Sequence, residues 1–252
     1  MFELQVYLLV LSGLIIFASS VVKGITGFGF ALLAVPLLSL IYPLDMLVPA
    51  MVLFNLITSL FILFKLQEKI KWYYIVPMFI ASLGGIPLGV YALEYLDQET
   101  LKIIIGAIIL IFSLKMLKGV KLAKKRIKLP IVFAGFISGI LTSSVSLSGP
   151  PLVIAMLRKG YNKEVFRGLF SWFNVFACLF SSVAFYVKGY LNLDSMKLAL
   201  FSLPLLIIGS DWGSKIQKNF NQQQFKRVVI ILNAFTGLLI VISTLIKMKS
   251  GN

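Results

Sequence analysis

Two stretches of this chain carry residue types suited to holding a solute inside an apolar environment. The first reads VKGITGFGFALLAVPLL, Val22 to Leu38. Lys23, Thr26, Gly27 and Gly29 interrupt one apolar run, and a second begins across Phe28 and Phe30. The other stretch reads SSVSLSGPPLV, Ser143 to Val153, and places Ser146 and Ser148 ahead of Gly149, Pro150 and Pro151. The chemistry this suggests is anion binding by peptide N–H groups. A helix that restarts after a break has first-turn amides without internal partners and a positive partial charge. Such a start accepts oxyanions without any charged side chain. Thr26, Gly27, Phe28, Gly29 and Phe30 are therefore candidate substrate-binding residues, together with Ser146, Ser148, Gly149, Pro150 and Pro151. The hydroxyls of Thr26, Ser146 and Ser148 are further donors, the serines are cap candidates, and either proline suits a first helical turn.

Other chemistries are poorly served. The chain has no histidine, which removes the commonest metal ligand and general base. Ser144 and Ser148 have no histidine to activate them as nucleophiles and no lysine beside them in sequence. No GxxxxGK[ST] stretch is present, so ATP hydrolysis by this chain is not expected. One cysteine, Cys178, allows no internal disulfide. We expect no enzyme activity, no cofactor and no metal.

The elements that must position these breaks are membrane helices. Of 252 residues, 59% are hydrophobic and 13% charged, and mean hydropathy is +0.98. Soluble domains sit near half apolar and a quarter charged. The apolar residues come in blocks about 20 long, enough to cross a hydrocarbon core. Ten elements can be drawn, at about 5–23, 28–41, 45–65, 72–95, 99–118, 129–144, 149–158, 164–188, 194–215 and 224–247. The expected fold class is all-α and polytopic. The first residues lack the basic start of a signal peptide, so the first run reads as part of the mature protein.

The net charge of +15 comes from 24 Lys and Arg against 9 Asp and Glu. The bases sit in short loops, the richest being Lys115 to Lys128, which fits the positive-inside rule and contact with anionic lipid rather than nucleic acid. That loop divides the chain into a first membrane repeat (1–118), a basic cytoplasmic linker (119–128) and a second repeat (129–252). Each half opens with a helix, a small-residue break and a short helix. Phe54-Asn55 is answered by Phe173-Asn174, Gly85 and Gly89 by Gly209 and Gly213, and Gln98 and Lys102 by Gln222 and Lys226. Glu94, Asp97 and Glu99 make one loop acidic where its counterpart is basic, as expected of halves inserted upside down. Hairpins 5–41 and 129–158 either span fully or re-enter. Both versions place the termini outside the cytoplasm. With inverted halves, the two helix starts converge near the midplane.

Asn55 and Asn174, deep in long helices, read as ligand contacts or as interhelical hydrogen bonds. Lys23 reads first as a side chain snorkelling to the inner surface, and otherwise as an attractor of the anion. Arg167 reads as a positive-inside anchor, with steering of the substrate as the alternative. Asp211 suggests a salt link, or else a coupling proton. Trp172 and the glycine pairs 85/89, 135/139 and 209/213 read as packing.

The stretches GITGFGFALLAVPLL and SGPPLVIAML, one at the start of each half, resemble the paired Gly/Pro motifs of the TauE/SafE family of sulfite and organosulfonate exporters. The length, basic central loop and two-part layout are similar along the whole chain. The family's second motif is often richer in glycine than Ser148-Gly149-Pro150-Pro151. The resemblance implies a secondary transporter of small anions such as sulfite or sulfonates in a bacterial inner or plasma membrane. Export by alternating access is the expected mode. An anion channel and, less favoured, a structural membrane subunit stay open. Expected partners are the anion, anionic lipids at the basic loops and a second copy of the chain.

Overall fold

The computed structural model describes residues 2–68, 70, 72–101, 129–191 and 193–219, with scattered positions between 103 and 111 and between 221 and 246. Among the described residues eight helices are complete: α1 (Phe2–Thr26), α2 (Phe30–Leu38), α3 (Leu44–Lys65), α4 (Trp72–Tyr95), α5 (Leu129–Val145), α6 (Gly149–Arg158), α7 (Lys163–Val187) and α8 (Leu193–Lys218). No strand occurs among the described residues. The basic stretch Lys115 to Lys128, and with it the 119–128 linker, lies outside the described residues. So do most of the expected elements 99–118 and 224–247, and the residues Lys102, Gln222 and Lys226.

Among the described residues five helices, α1, α3, α4, α7 and α8, are long and apolar enough to cross a membrane. By contrast, α2 has nine residues and α6 has ten. At 1.5 Å per residue each rises only about 15 Å, half of a hydrocarbon core. Both are returns from a turn inside the protein.

Contacts fix the directions. Gly85 and Gly89 of α4 lie against Phe136 and Ile140 of α5, and Ser143 donates to the Ile86 carbonyl at 2.7 Å. Gly13 and Gly24 of α1 meet Leu205 and Ser210 of α8, and Gly209 and Gly213 lie on Phe17 and Val21. Both pairs are parallel. At Gly24, Gly85, Gly89, Gly135, Gly139 and Gly213 an added Cβ would strike the neighbouring helix backbone. Packing without side chains at these points lets the backbones approach, the usual driving force between helices in lipid. The ends of α4 and α7 are joined by Lys188 and Glu94 at 2.7 Å, and the start of α7 meets the end of α8 through Lys163 and Gln217. Thus α4, α5 and α7 run one way, and α1 and α8 the other. The hairpin α1–α2 and the hairpin α5–α6 therefore enter from opposite ends of the bundle.

The two ends differ in charge. Lys65, Arg158, Lys163, Lys215 and Lys218 gather at one. At the other lie Asp45, Glu94 and Asp97, with Lys188 and Lys197 as basic exceptions. Thr100 donates its backbone N–H to Asp97 at 2.8 Å, and the Thr100 side chain and backbone together hold the Asp97 carboxyl below its usual range.

Candidate functional site

The first break has a compact internal solution. Gly27 and Gly29 adopt left-handed backbone, with φ of 80° and 92°, which glycine tolerates without a steric penalty. The Thr26 hydroxyl donates to the Val22 carbonyl at 2.9 Å or to the nearby Phe28 carbonyl, and accepts from the Phe28 N–H at 3.2 Å. Gly29 is the N-cap of α2 and offers no side chain to its first turn. The N–H groups of Phe30, Ala31 and Leu32 have no intrahelical partner by the geometry of a helix start, and these three residues are buried.

The second break is built from side chains. Ser146 is left-handed at φ 59°, the sole non-glycine residue with positive φ among those described. Its hydroxyl accepts from Asn55 Nδ2 at 2.9 Å. The Ser148 hydroxyl donates to Asn174 Oδ1 at 2.7 Å. Gly149 opens α6, and Pro150 and Pro151 follow in its first turn.

The two turns touch. A Cβ on Gly149 would lie 3.2 Å from the Phe28 ring. Phe28 is fully buried and packs against Phe166 and Phe170 of α7, with centroids 5.8 and 5.5 Å apart. Phe30 meets Phe54 edge-on at 5.7 Å, one residue before Asn55. Thr26, Phe28, Phe30, Asn55, Ser146, Ser148, Gly149, Pro150, Pro151 and Asn174 are all buried, as is Gly27, and Gly29 is half-buried. The structure thus gathers all of the candidate binding residues about the two turns, packed shut around Phe28.

Two basic residues are placed differently from the first expectation. Lys23 does not snorkel. It is fully buried, and Nζ donates to the Asn55 carbonyl and to Asn55 Oδ1, both at 2.8 Å. Those acceptors lie on α3, 32 residues away, so nothing local in the sequence announces them. Arg167 is not a surface anchor either. Its guanidinium is buried and donates to the Gly24 carbonyl at 2.8 Å, to Ser214 Oγ at 3.1 Å and to Gln217 Oε1 at 3.0 Å. Glu164 stands 3.6 Å off, and the buried Nε has no partner. Arg167 also backs the first break, since a Cβ on Gly27 would come within 3.0 Å of its Cα. Asp211 is ion-paired with Lys65, and with Lys215 at 2.8 Å. Trp172 stacks with Phe176 and meets Trp72 at 4.9 Å.

A cavity of about 640 Å³ opens beside these groups at the basic end of the bundle. Lys65, Arg167, Lys215 and Lys218 line it with Glu68, Glu164 and Asp211, and Ile62 and Leu66 form an apolar wall. Sequence reasoning missed Gln217 and Ser214, whose only signal is their spacing of one turn along α8. Among the described residues no group of three His, Cys, Asp or Glu is placed to hold a metal.

Comparison with known proteins agrees with the family-level expectation. Residues 12–240 match the family model described as "Sulfite exporter TauE/SafE". The chain is 25% identical over 221 residues to a probable sulfite/organosulfonate exporter TauE from Cupriavidus necator, over 84% of this chain and 85% of that protein. No solved structure matches.

Proposed function

The chain belongs to the sulfite exporter TauE/SafE family, and from that premise we propose that it carries sulfite or a short organosulfonate across the bacterial inner or plasma membrane. The carrying observation is the first turn of α2. Its residues are buried, its N-cap Gly29 has no side chain to cap the amides, and it is set against the tip of the second hairpin. Unpartnered N–H groups are costly inside a membrane, by several kcal/mol each. The three oxygens of a sulfite or sulfonate group between the two turns would satisfy them. Gly27, Phe28, Gly29 and Phe30 then line one side of the substrate. On the other stand Ser146, Ser148, Gly149, Pro150 and Pro151, with Asn55, Asn174 and Thr26 fixing the surrounding hydrogen bonds.

Access alternates by movement of the two hairpins against α3 and α7. The cavity beside Arg167 is the mouth on the basic side, and Phe28 is the plug above it. The basic end faces the cytoplasm by the positive-inside rule, which sets the N-terminus outside, and the basic loops contact anionic lipid. A negative-inside potential drives anion exit by about 2.3 kcal/mol per charge per 100 mV, so export requires neither ATP nor a coupling proton. The halves act as two repeats of opposite orientation, 1–118 and 129–252, and Asp211 serves the ion pairs at the mouth.

Flux from proteoliposomes loaded with sulfite, methanesulfonate, acetate or a neutral amino acid tests this. Sulfite or sulfonate efflux that saturates is expected, and Gly29→Leu abolishes it, because a side chain there is forced into left-handed backbone and meets Val22. Transport of the neutral amino acid alone would overturn the reading.

A further inference from the structure

Lys23 is a buried basic group that the anion site described above leaves unused. Its ammonium is wholly buried at the end of α1, three residues before the first break. Both of its bonds go to oxygens of one neutral residue, Asn55. No carboxylate pairs with it among the described residues. Asp211 and Glu164, acidic groups at the basic end of the bundle, are taken by Lys65, Lys215, Arg167 and Gln217. A buried charge held only by neutral acceptors is expensive, and inside a membrane such a group marks a solute path.

The placement of Asn55 adds a second, independent pointer. The same side chain that accepts from Lys23 through Oδ1 donates through Nδ2 to Ser146 in the other break. One amide therefore bridges the cation of the first hairpin and the turn of the second. When Lys23 rests on Asn55, the two hairpins are tied together around the closed Phe28 plug. An arriving anion offers Lys23 a charged acceptor that outcompetes an amide oxygen, since the attraction of two opposite charges at low dielectric adds to the hydrogen bond.

We infer that Lys23 is the counter-ion of the transported anion and that its exchange between Asn55 and the substrate is the latch that unties the two hairpins. This rests on the anion-carrier reading above and names the residue that gives that site its charge selectivity. In the empty carrier the ammonium is parked on Asn55, so the unloaded protein can close without a second anion. Neutral solutes cannot release it.

Detergent-purified protein is titrated with sodium sulfite, with sodium chloride as the ionic-strength control, and read by melting temperature and calorimetry. Four chains are compared: wild type, Lys23→Met, Lys23→Arg and Asn55→Asp. Wild type is stabilised by sulfite. Lys23→Met raises the sulfite Kd about tenfold or more, the size of a lost bond between charged groups, and Lys23→Arg recovers part of the loss. Asn55→Asp is the decisive chain, because it supplies a built-in carboxylate for Lys23, and its second oxygen accepts from the Ser146 hydroxyl in place of the lost Nδ2 donor. It is expected to melt at or above wild type and yet to lose the sulfite shift. A purely structural Lys23 would leave the sulfite Kd unchanged in folded Lys23→Met. Folded Asn55→Asp with an unchanged sulfite Kd overturns the inference even if Lys23→Met fails to fold. Wild type that binds neither sulfite nor methanesulfonate removes the carrier reading itself, and this inference with it.

Discussion

The two breaks solve one problem in different materials. At the first, backbone conformation does the work: Gly27 and Gly29 turn left-handed, and the N–H groups of the following turn are left in place without a cap. At the second, side chains do it. Ser146 takes the left-handed turn despite its Cβ, and Asn55 and Asn174 hold the two serine hydroxyls. Pro150 and Pro151 then delete two first-turn N–H groups outright. A symmetric pair of helix starts would offer equal donors from both sides. This pair does not: the first hairpin holds most of the amide donors, and the second is closer to a fixed wall whose polar groups are already committed. The two hairpins thus share the break while dividing its tasks.

The largest expected effect that tests this contrast is Gly27→Ala. The new Cβ sits at φ 80° and within 3.0 Å of Arg167 Cα. We expect a loss of about 2–5 kcal/mol, combining left-handed strain with overpacking, measured by denaturant titration in mixed micelles. Gly189→Ala is the matched control, since φ there is 76° but nothing lies within 4 Å. Equal losses at the two sites would mean that contact with Arg167 adds nothing.

Next comes Asn174→Leu, which removes the acceptor of the buried Ser148 hydroxyl. The expected cost is about 1–3 kcal/mol, and replacing Ser148 by Ala in the same chain should return part of it. Additive losses in that double-mutant cycle would show the two side chains to be uncoupled.

Smaller still is Ser146→Gly. It relieves left-handed strain and forfeits the bond from Asn55, two opposing terms of roughly 1 kcal/mol each. The melting temperature should therefore barely move, in contrast to any substitution at Gly27. A steep fall would make the Asn55 bond the main support of the second turn.

The smallest effect belongs to a pair remote from both breaks. The Glu94 carboxylate, by hydrogen bond and by charge, raises the exposed Lys188 ammonium above its ordinary value. A raised basic group contributes fully below its unfolded pKa and loses the contribution as pH rises through the folded one. Wild type and Glu94→Gln should thus differ slightly at neutral pH and converge in strong alkali or at high salt. A difference that persists under both conditions would not be electrostatic.

Much of the architecture was legible from local chemistry. Glycine, serine and proline inside apolar runs predict where helices stop, and the expected 28–41 and 149–158 elements appear as Phe30–Leu38 and Gly149–Arg158. The returning arms α2 and α6, at nine and ten residues, are too short to cross by themselves. The glycine pairs read as packing do pack, α4 against α5 and α1 against α8. Lys23 and Arg167 were not legible in the same way. A basic residue near a helix end reads as an anchor, because most such side chains reach the headgroups.

By itself, then, the sequence determined that this is a helical membrane chain with two interrupted hairpins, because breaks, caps and spans depend on residues within a few turns of one another. Only the tertiary structure decided that Lys23 meets Asn55, that Asn55 meets Ser146 and that Arg167 closes on Gly24. Those partners lie 32, 91 and 143 positions apart. A buried charge takes whichever acceptor the packed helices bring within bonding distance, and no local pattern encodes that choice.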